Sequence, residues 1–539
     1  MNLNARPARW PAWPALAVAA LVATPLICLA FMASQPAPEA WAHVREVVLP
    51  RAFLNTLWAL LGGLVVAGLL GVGLAWLTAV CEFPGRRHWR WLLILPLALP
   101  AYVHAFVQVG LFDYAGPLQT WGRAVWGPEF SLPPIRSIGG LGLVFGLALY
   151  PYVYLLTYNA FSTLGARSLE AAQSLGLSRW SAFWRVALPQ SAPWLVGGLS
   201  LVAMEVLADI GTVSVFNIDT LSVATYKAWF QLFSLETGAR VSLALAGFTL
   251  VLSAGAHWFQ ARARFAARPS AAARLPLRGL TAGAATLACA TVLLLGLVVP
   301  LVQLGWWSVQ AGAWARMAEL LPYVQHSVEL GLITGTAVAA VALVLAWLRR
   351  HHGHASTPWL VRTSLMGYAL PGSVLAVGLF VPLAWLDQQI QPLLTHIDSS
   401  LQWALRGSVF SLVVGLAVRF LAVGFQPIDA QLQRITPAQE EAAQSLGLSR
   451  RALLWRFYPS ALRRGLLTGL LLVSIDVIKE MPVTLMLRPF GWDTLALRVF
   501  EFTSEGMWEA AAAPALLIVL CGLVPVSLLV QRLDPPNPS

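Results

Sequence analysis

The sequence predicts an all-α integral membrane protein of about twelve transmembrane helices, built as two six-helix repeats that enter the membrane in the same direction. Three observations lead there. The chain is 58% hydrophobic and only 11% charged, with a mean hydropathy of +0.69. Its apolar stretches recur at a length that crosses a hydrocarbon layer of about 30 Å as helix. One polar ten-residue phrase occurs twice, at positions 271 residues apart.

The apolar stretches fall at 14–34, 54–80, 89–111, 137–161, 192–216 and 239–260, and then at 279–306, 323–348, 359–386, 407–427, 462–487 and 510–531. Many of the 24 Trp residues sit at their ends, including Trp10, Trp89, Trp126, Trp306 and Trp359, as aromatic belts do at membrane interfaces. Of the 35 Lys and Arg residues, well over half fall in the loops that an inside-first path places on one face. The positive-inside rule makes that face the cytosol and puts both termini there. The net charge of +11 follows from this bias and from anionic lipid, so no nucleic-acid partner is expected. The first apolar stretch follows Arg6 and Arg9 and is long for a signal peptide, which predicts an uncleaved signal-anchor. The four cysteines are scattered, so neither a disulfide framework nor a Cys-based metal site is expected.

The duplication divides the chain into a first repeat over 1–265, a cytosolic Arg/Pro/Ala linker over 266–278, and a second repeat over 279–539. Ala75-Trp76-Leu77 returns as Ala346-Trp347-Leu348, and Ala98-Leu99-Pro100 as Ala369-Leu370-Pro371, at the same offset. The long phrase is Glu170-Ala171-Ala172-Gln173-Ser174-Leu175-Gly176-Leu177-Ser178-Arg179, and again Glu441-Ala442-Ala443-Gln444-Ser445-Leu446-Gly447-Leu448-Ser449-Arg450. Both copies land on the cytosolic face, between the fourth and fifth spans of their repeat. Leu169 to Leu175 favours a short helix, with Glu170 near its positive end. Gly176 permits the φ > 0 turn that ends it, and Ser178 is placed to cap a second helix through Trp180, Phe183 and Trp184. The predicted shape is a helix–turn–helix suited to a groove on another protein.

Glu-Ala-Ala, three residues, Gly, then a hydrophobic run to Pro189 or Pro459 resembles the EAA loop of ABC importer permeases. The resemblance covers nearly the whole chain. It is closest to the fused permeases of ferric-iron importers, through Ala208-Asp209-Ile210-Gly211-Thr212-Val213 with Asp219-Thr220-Leu221, and Lys479-Glu480-Met481-Pro482-Val483-Thr484 with Asp493-Thr494-Leu495. It implies the fold of an ABC type I importer permease in a bacterial inner membrane. It also implies a cytosolic ABC ATPase dimer docked on Glu170, Ala171, Ala172 and Gly176 and on Glu441, Ala442, Ala443 and Gly447, and a periplasmic solute-binding protein as second partner. Related permeases move thiamine, polyamines or phosphonates, which stand as alternatives to iron, as does an ATP-independent secondary transporter.

The chain has two lysines, Lys227 and Lys479, followed by Ala and Glu, so it carries no GxxxxGK[ST] phosphate-binding loop. ATP and Mg are therefore expected on the partner ATPase, with no cofactor on this chain, and no enzyme motif such as HExxH or GxSxG is present. Glu205 and Asp209, and Asp476 and Glu480, are spaced i, i+4 inside spans. A mid-membrane charge costs at least about 2.5–3.5 kcal/mol, so such groups face a wet cavity or a partner. The four are candidates to line a cation path, since hard cations prefer oxygen ligands; the alternative is that Lys479 pairs with Asp476 or Glu480 and pins helices. Arg419 is expected to have a structural role, either pairing with an acid of a neighbouring helix or snorkelling inward. His351, His352 and His354 read as a solvated turn rather than a metal site, and no metal ligand is assigned.

Overall fold

The computed structural model describes residues 12–262, 274–351, 356–397, 404–449 and 452–531. Most of the linker expected at 266–278, together with His352 and His354, lies outside them, as do the side chains of Glu170 and Ala171. Among the described residues nine helices are long and apolar enough to cross a membrane. The other three expected spans are also helical but are interrupted or shorter. The third bends by 90° between 86–98 and 101–126. The eleventh stops after the 16 residues of Arg463–Ile478, and the twelfth is apolar over Trp508–Leu523.

The interruptions have local causes. A residue before proline is pushed out of the helical region, and the repeated Ala-Leu-Pro does this twice. Leu99 (φ −95°, ψ 114°) and Leu370 (φ −91°, ψ 129°) are extended, each after a 3₁₀ turn, Leu95–Ala98 and Leu365–Ala369. Four π-helical turns follow a related rule. Val44–Val48, Phe183–Ala187, Leu294–Val298 and Leu453–Phe457 each end two residues before a proline: Pro50, Pro189, Pro300 and Pro459. Proline has no N–H for the carbonyl four residues back and its ring presses on that carbonyl. Widening the preceding turn to i→i+5 relieves the clash.

Packing divides the chain into two units that interleave the repeats. Unit 1 comprises Met1–Trp41, Thr225–Ala246 and Ala318–Arg498; unit 2 comprises Ala42–Ala224, Gly247–Met317 and Val499–Ser539. The opening helix Trp13–Ala33 thus packs in unit 1, against Thr357–Ser364 and Gly372–Ile397 of the second repeat. There Gly378 sits so close to Pro25 that a Cβ would lie 2.6 Å from its carbonyl oxygen. In unit 2, the second repeat's opening span packs on first-repeat helices: Phe106 stacks on Trp307 of that span, and also on Trp508 of the last helix, each at 6.2 Å. Gln108 Nε2 lies 3.4 Å from the Leu295 carbonyl and His104 lies against that of Gly296, both in the π turn before Pro300. In each case the first span of one repeat completes the packing of the other.

Small residues let the central helices approach. In unit 2 the helices Leu49–Val80 and Ile138–Ser174 meet at Gly62 and Gly142, where a Cβ on Gly62 would stand 3.0 Å from the Gly142 Cα. In unit 1 the helices Val409–Leu432 and Arg463–Ile478 cross at Gly424 and Gly469. The end of the linker is not free chain. Leu275–Pro276 pairs in parallel with Cys81–Glu82, and Glu82 bridges Arg86 at 3.1 Å and Arg274 at 3.4 Å.

Candidate docking loops and intramembrane carboxylates

Each unit carries one copy of the repeated phrase, and both form the same turn. Gly176 has φ +85° and Gly447 φ +90°. Leu177 N–H donates back to Ala172 O at 3.0 Å and Leu448 N–H to Ala443 O at 3.2 Å, the bond that closes a glycine-terminated helix. Ser178 Oγ then accepts from Ser181 N–H, and Ser449 Oγ from Ala452 N–H, both at 3.2 Å, so each serine caps the helix that follows. Ala172 and Ala443 are buried, whereas Glu441 and Ala442 are exposed.

The helices leading into the turns differ. The first copy is not a separate short helix over Leu169 to Leu175; it ends the helix Ile138–Ser174, continuous with the fourth span. The second is a separate helix, Pro437–Ser445, opened by a capping box between Thr436 and Gln439. Pro437 makes the difference, because it forces Thr436 into an extended conformation (ψ 152°), whereas Ala166 occupies the matching place in the first repeat.

Sequence reading missed the most prominent groups on these turns. Leu175 is 84% exposed and Leu446 87% exposed, at equivalent positions just before the glycines. An exposed leucine repeated at a turn has nothing of its own chain to bury against, and this was legible only as two more identical letters. His351 also departs from expectation. It is not a solvated turn residue but lies with Nε2 3.1 Å from Glu440 Oε2.

The four carboxylates do not form continuous i, i+4 faces, because both helices break between them. The fifth-span helix ends at Ala208, and Asp209 is extended (φ −73°, ψ 131°). Asp209 caps the next short helix, Gly211–Val215: Oδ1 accepts from Thr212 N–H and Oδ2 from the Thr212 hydroxyl, both at 2.7 Å. Glu480 does the same in unit 1 for Pro482–Leu487, with Oε1 and Oε2 accepting from Val483 N–H at 3.0 and 3.1 Å. A carboxylate caps well there because it meets the unpaired N–H groups and the positive end of the helix. Lys479 pairs with Asp476 at 2.8 Å, and Arg419 with buried Glu480 at 3.9 Å. Gly372 makes room for the latter pair, since a Cβ there would lie 2.9 Å from Glu480 and 3.0 Å from Arg419. Glu205, Asp209 and Asp476 are half-buried.

The segments after the two breaks are latched alike, by residues of different identity. Asn55 Nδ2 donates to Asp219 O and Thr56 Oγ accepts from Leu221 N–H, both at 2.9 Å. At the same places in the second repeat, His326 Nδ1 lies 3.0 Å from Asp493 O and Ser327 Oγ accepts from Leu495 N–H at 2.8 Å. His326 also stacks on Trp492, with ring centroids 4.6 Å apart. Between break and latch, Asn217 (φ +55°) and Gly491 (φ +75°) make equivalent left-handed turns, which asparagine and glycine tolerate best.

Comparison with known proteins agrees with this duplicated build. Residues 67–268 and 331–536 each match the family described as binding-protein-dependent transport system inner membrane component. The chain is 24% identical over 538 residues to the Fe(3+)-transport system permease protein FbpB 2 of Haemophilus influenzae, covering 97% of this chain and 99% of that protein. Single-repeat similarity extends to sulfate transport system permease proteins of Escherichia coli. CysT is 29% identical over 35% of this chain and 68% of its own length, and CysW 27% over 40% and 74%. With both repeats matched, the chain belongs to the binding-protein-dependent transport system inner membrane components, as a multi-pass permease subunit of an ABC importer.

Proposed function

We propose that this permease moves ferric iron inward across the inner membrane, receiving it from a periplasmic binding protein and driven by a cytosolic ATPase dimer. The observation that carries the solute assignment is the full-length similarity to the Fe(3+) permease, which spans both repeats. Sulfate is the second reading, favoured by the higher identity to CysT, but that match covers one repeat. In this reading both termini are cytosolic, and each unit offers one loop to one ATPase subunit. The exposed Leu175 and Leu446 supply apolar contact, Glu170 and Glu441 supply charge, and Gly176 and Gly447 set the turn. ATP and Mg belong to the ATPase, and this chain holds no cofactor. Half-buried Glu205 and Asp209 are the first candidates to meet a passing cation weakly enough to release it, while Asp476 is held by Lys479 and Glu480 by Arg419.

Uptake of radiolabelled ferric iron and of radiolabelled sulfate into vesicles holding permease and ATPase, supplied with the binding protein, tests the assignment. ATP-dependent iron accumulation is expected. Sulfate accumulation without iron would replace the solute, and solute movement without ATPase would remove the importer mechanism.

A further inference from the structure

The two docking loops are attached to their units by different chemistry. In unit 1, Arg350 ends the eighth-span helix Met317–Arg350 and reaches three acceptors around the second loop. Nη1 donates to Leu432 O and Nη2 to Ile435 O, both at 2.6 Å, and Nη2 lies 2.7 Å from Glu440 Oε1. His351 meets the other Glu440 oxygen, Oε2, at 3.1 Å. The neighbouring Arg349 pairs with Asp429 at 2.5 Å. Glu440 is buried, with Tyr458 packed beside it; burial first, and then the Glu440 carboxylate, push the Tyr458 phenol well above its ordinary range.

These contacts span the break that Pro437 introduces. The carbonyls of Leu432 and Ile435 belong to the last turn of the tenth span and to the connecting turn, and Glu440 belongs to the loop helix itself. A planar guanidinium with several donors fits such a divided set, which an ammonium cannot satisfy in the same geometry. In the first repeat the matching positions hold Ala79 and Leu169, so the same clamp cannot form. There the loop continues the fourth-span helix directly, and Trp76, Phe161 and Phe183 pack together below it, with ring centroids 4.8–6.5 Å apart.

We propose that Arg350 and His351 are positioning residues which, through Glu440, lock the second docking helix to the cytosolic end of the eighth span, so that ATPase movement at this loop is delivered to that span. The clamp replaces the helical continuity that carries motion in the first repeat. The proposal rests on the reading of the repeated phrase as the ATPase-docking loop. Glu440 and Glu441 then divide the work: one faces inward to the clamp and the other outward to the partner.

The test uses the assembled importer with ATPase and binding protein, and reads ferric-iron uptake, ATP hydrolysis and ATPase co-purification together. Arg350→Lys keeps the charge and loses the fork; it is expected to lower iron moved per ATP by about tenfold while the ATPase stays bound. Glu440→Gln is expected to do the same. The double variant Arg350→Lys with Glu440→Gln should lose less than the product of the two single losses, because both residues act through one contact, and retained ATPase co-purification separates a lost contact from misfolding. Unchanged iron per ATP in both Arg350→Lys and Glu440→Gln would overturn the proposal, as would single losses that multiply independently in the double variant. Failure of the docking reading has a different signature: Leu446→Asp with Glu441→Lys would leave the ATPase bound while Glu440 variants still lose transport.

Discussion

Arg419 Nε stands 3.9 Å from Glu480 Oε1, and Nη1 of the same guanidinium lies 3.4 Å from the carbonyl of Leu370. One cation therefore serves two helix breaks in unit 1: the carbonyl left exposed at Leu370-Pro371 and the carboxylate that caps Pro482–Leu487. The first repeat has Ala148 at this position.

Removing Arg419 leaves Glu480 buried without its cation, which costs about 3–5 kcal/mol for a buried pair. Arg419→Ala is expected to lower the Tm of the detergent-purified protein sharply. Glu480→Gln keeps a capping oxygen and removes the charge, so its loss should be smaller. Thermal unfolding followed by size-exclusion chromatography measures both, and a wild-type Tm in both variants would contradict a charge-pairing role.

At Gly176 and Gly447 a Cβ would meet nothing within 4 Å, so any cost of substitution is conformational. A left-handed backbone costs an L-residue about 1–2 kcal/mol, less for asparagine and most for β-branched side chains. Co-purification of the ATPase should therefore fall in the order Asn, Ala, Val at either position. Valine performing as well as asparagine would mean that the turn does not need this backbone.

The paired latches predict that function follows geometry and not residue identity. His326→Asn places the side-chain amide found at the equivalent position 55 and should retain both stability and uptake. His326→Leu and Ser327→Ala each remove a hydrogen bond and should cost about 1 kcal/mol, as should Thr56→Ala in unit 2. Tm of each purified variant checks the series.

Glu170→Lys with Glu441→Lys should abolish uptake while the permease remains in the membrane. Leu175→Asp with Leu446→Asp should release the ATPase, because both leucines are almost fully exposed on the turn. Pull-down of the ATPase separates the two effects; normal retention by the leucine pair would transfer the docking surface elsewhere in the loop.

The sequence by itself determined the helical membrane class, the duplication, and the φ > 0 turns at Gly176 and Gly447. These depend on local composition and on repetition, which survive without coordinates. The repeated Ala-Leu-Pro and the prolines after each π turn hold the local cause of the breaks, since proline acts on its own immediate neighbours, although the sequence reading ran the spans 89–111 and 359–386 straight through them. Tertiary structure decided which acid met which cation. Asp476 and Glu480 are four residues apart, and helical spacing put them on one face with Lys479. The break at Lys479 instead turned Glu480 toward Arg419, some sixty residues earlier in the chain. It also decided that the opening span of each repeat packs on the other repeat, and that Asn55 and His326 do one job with different side chains. Hydrogen bonding and packing select for reach and donor geometry at long range, and neither leaves a period or a shared letter in the sequence.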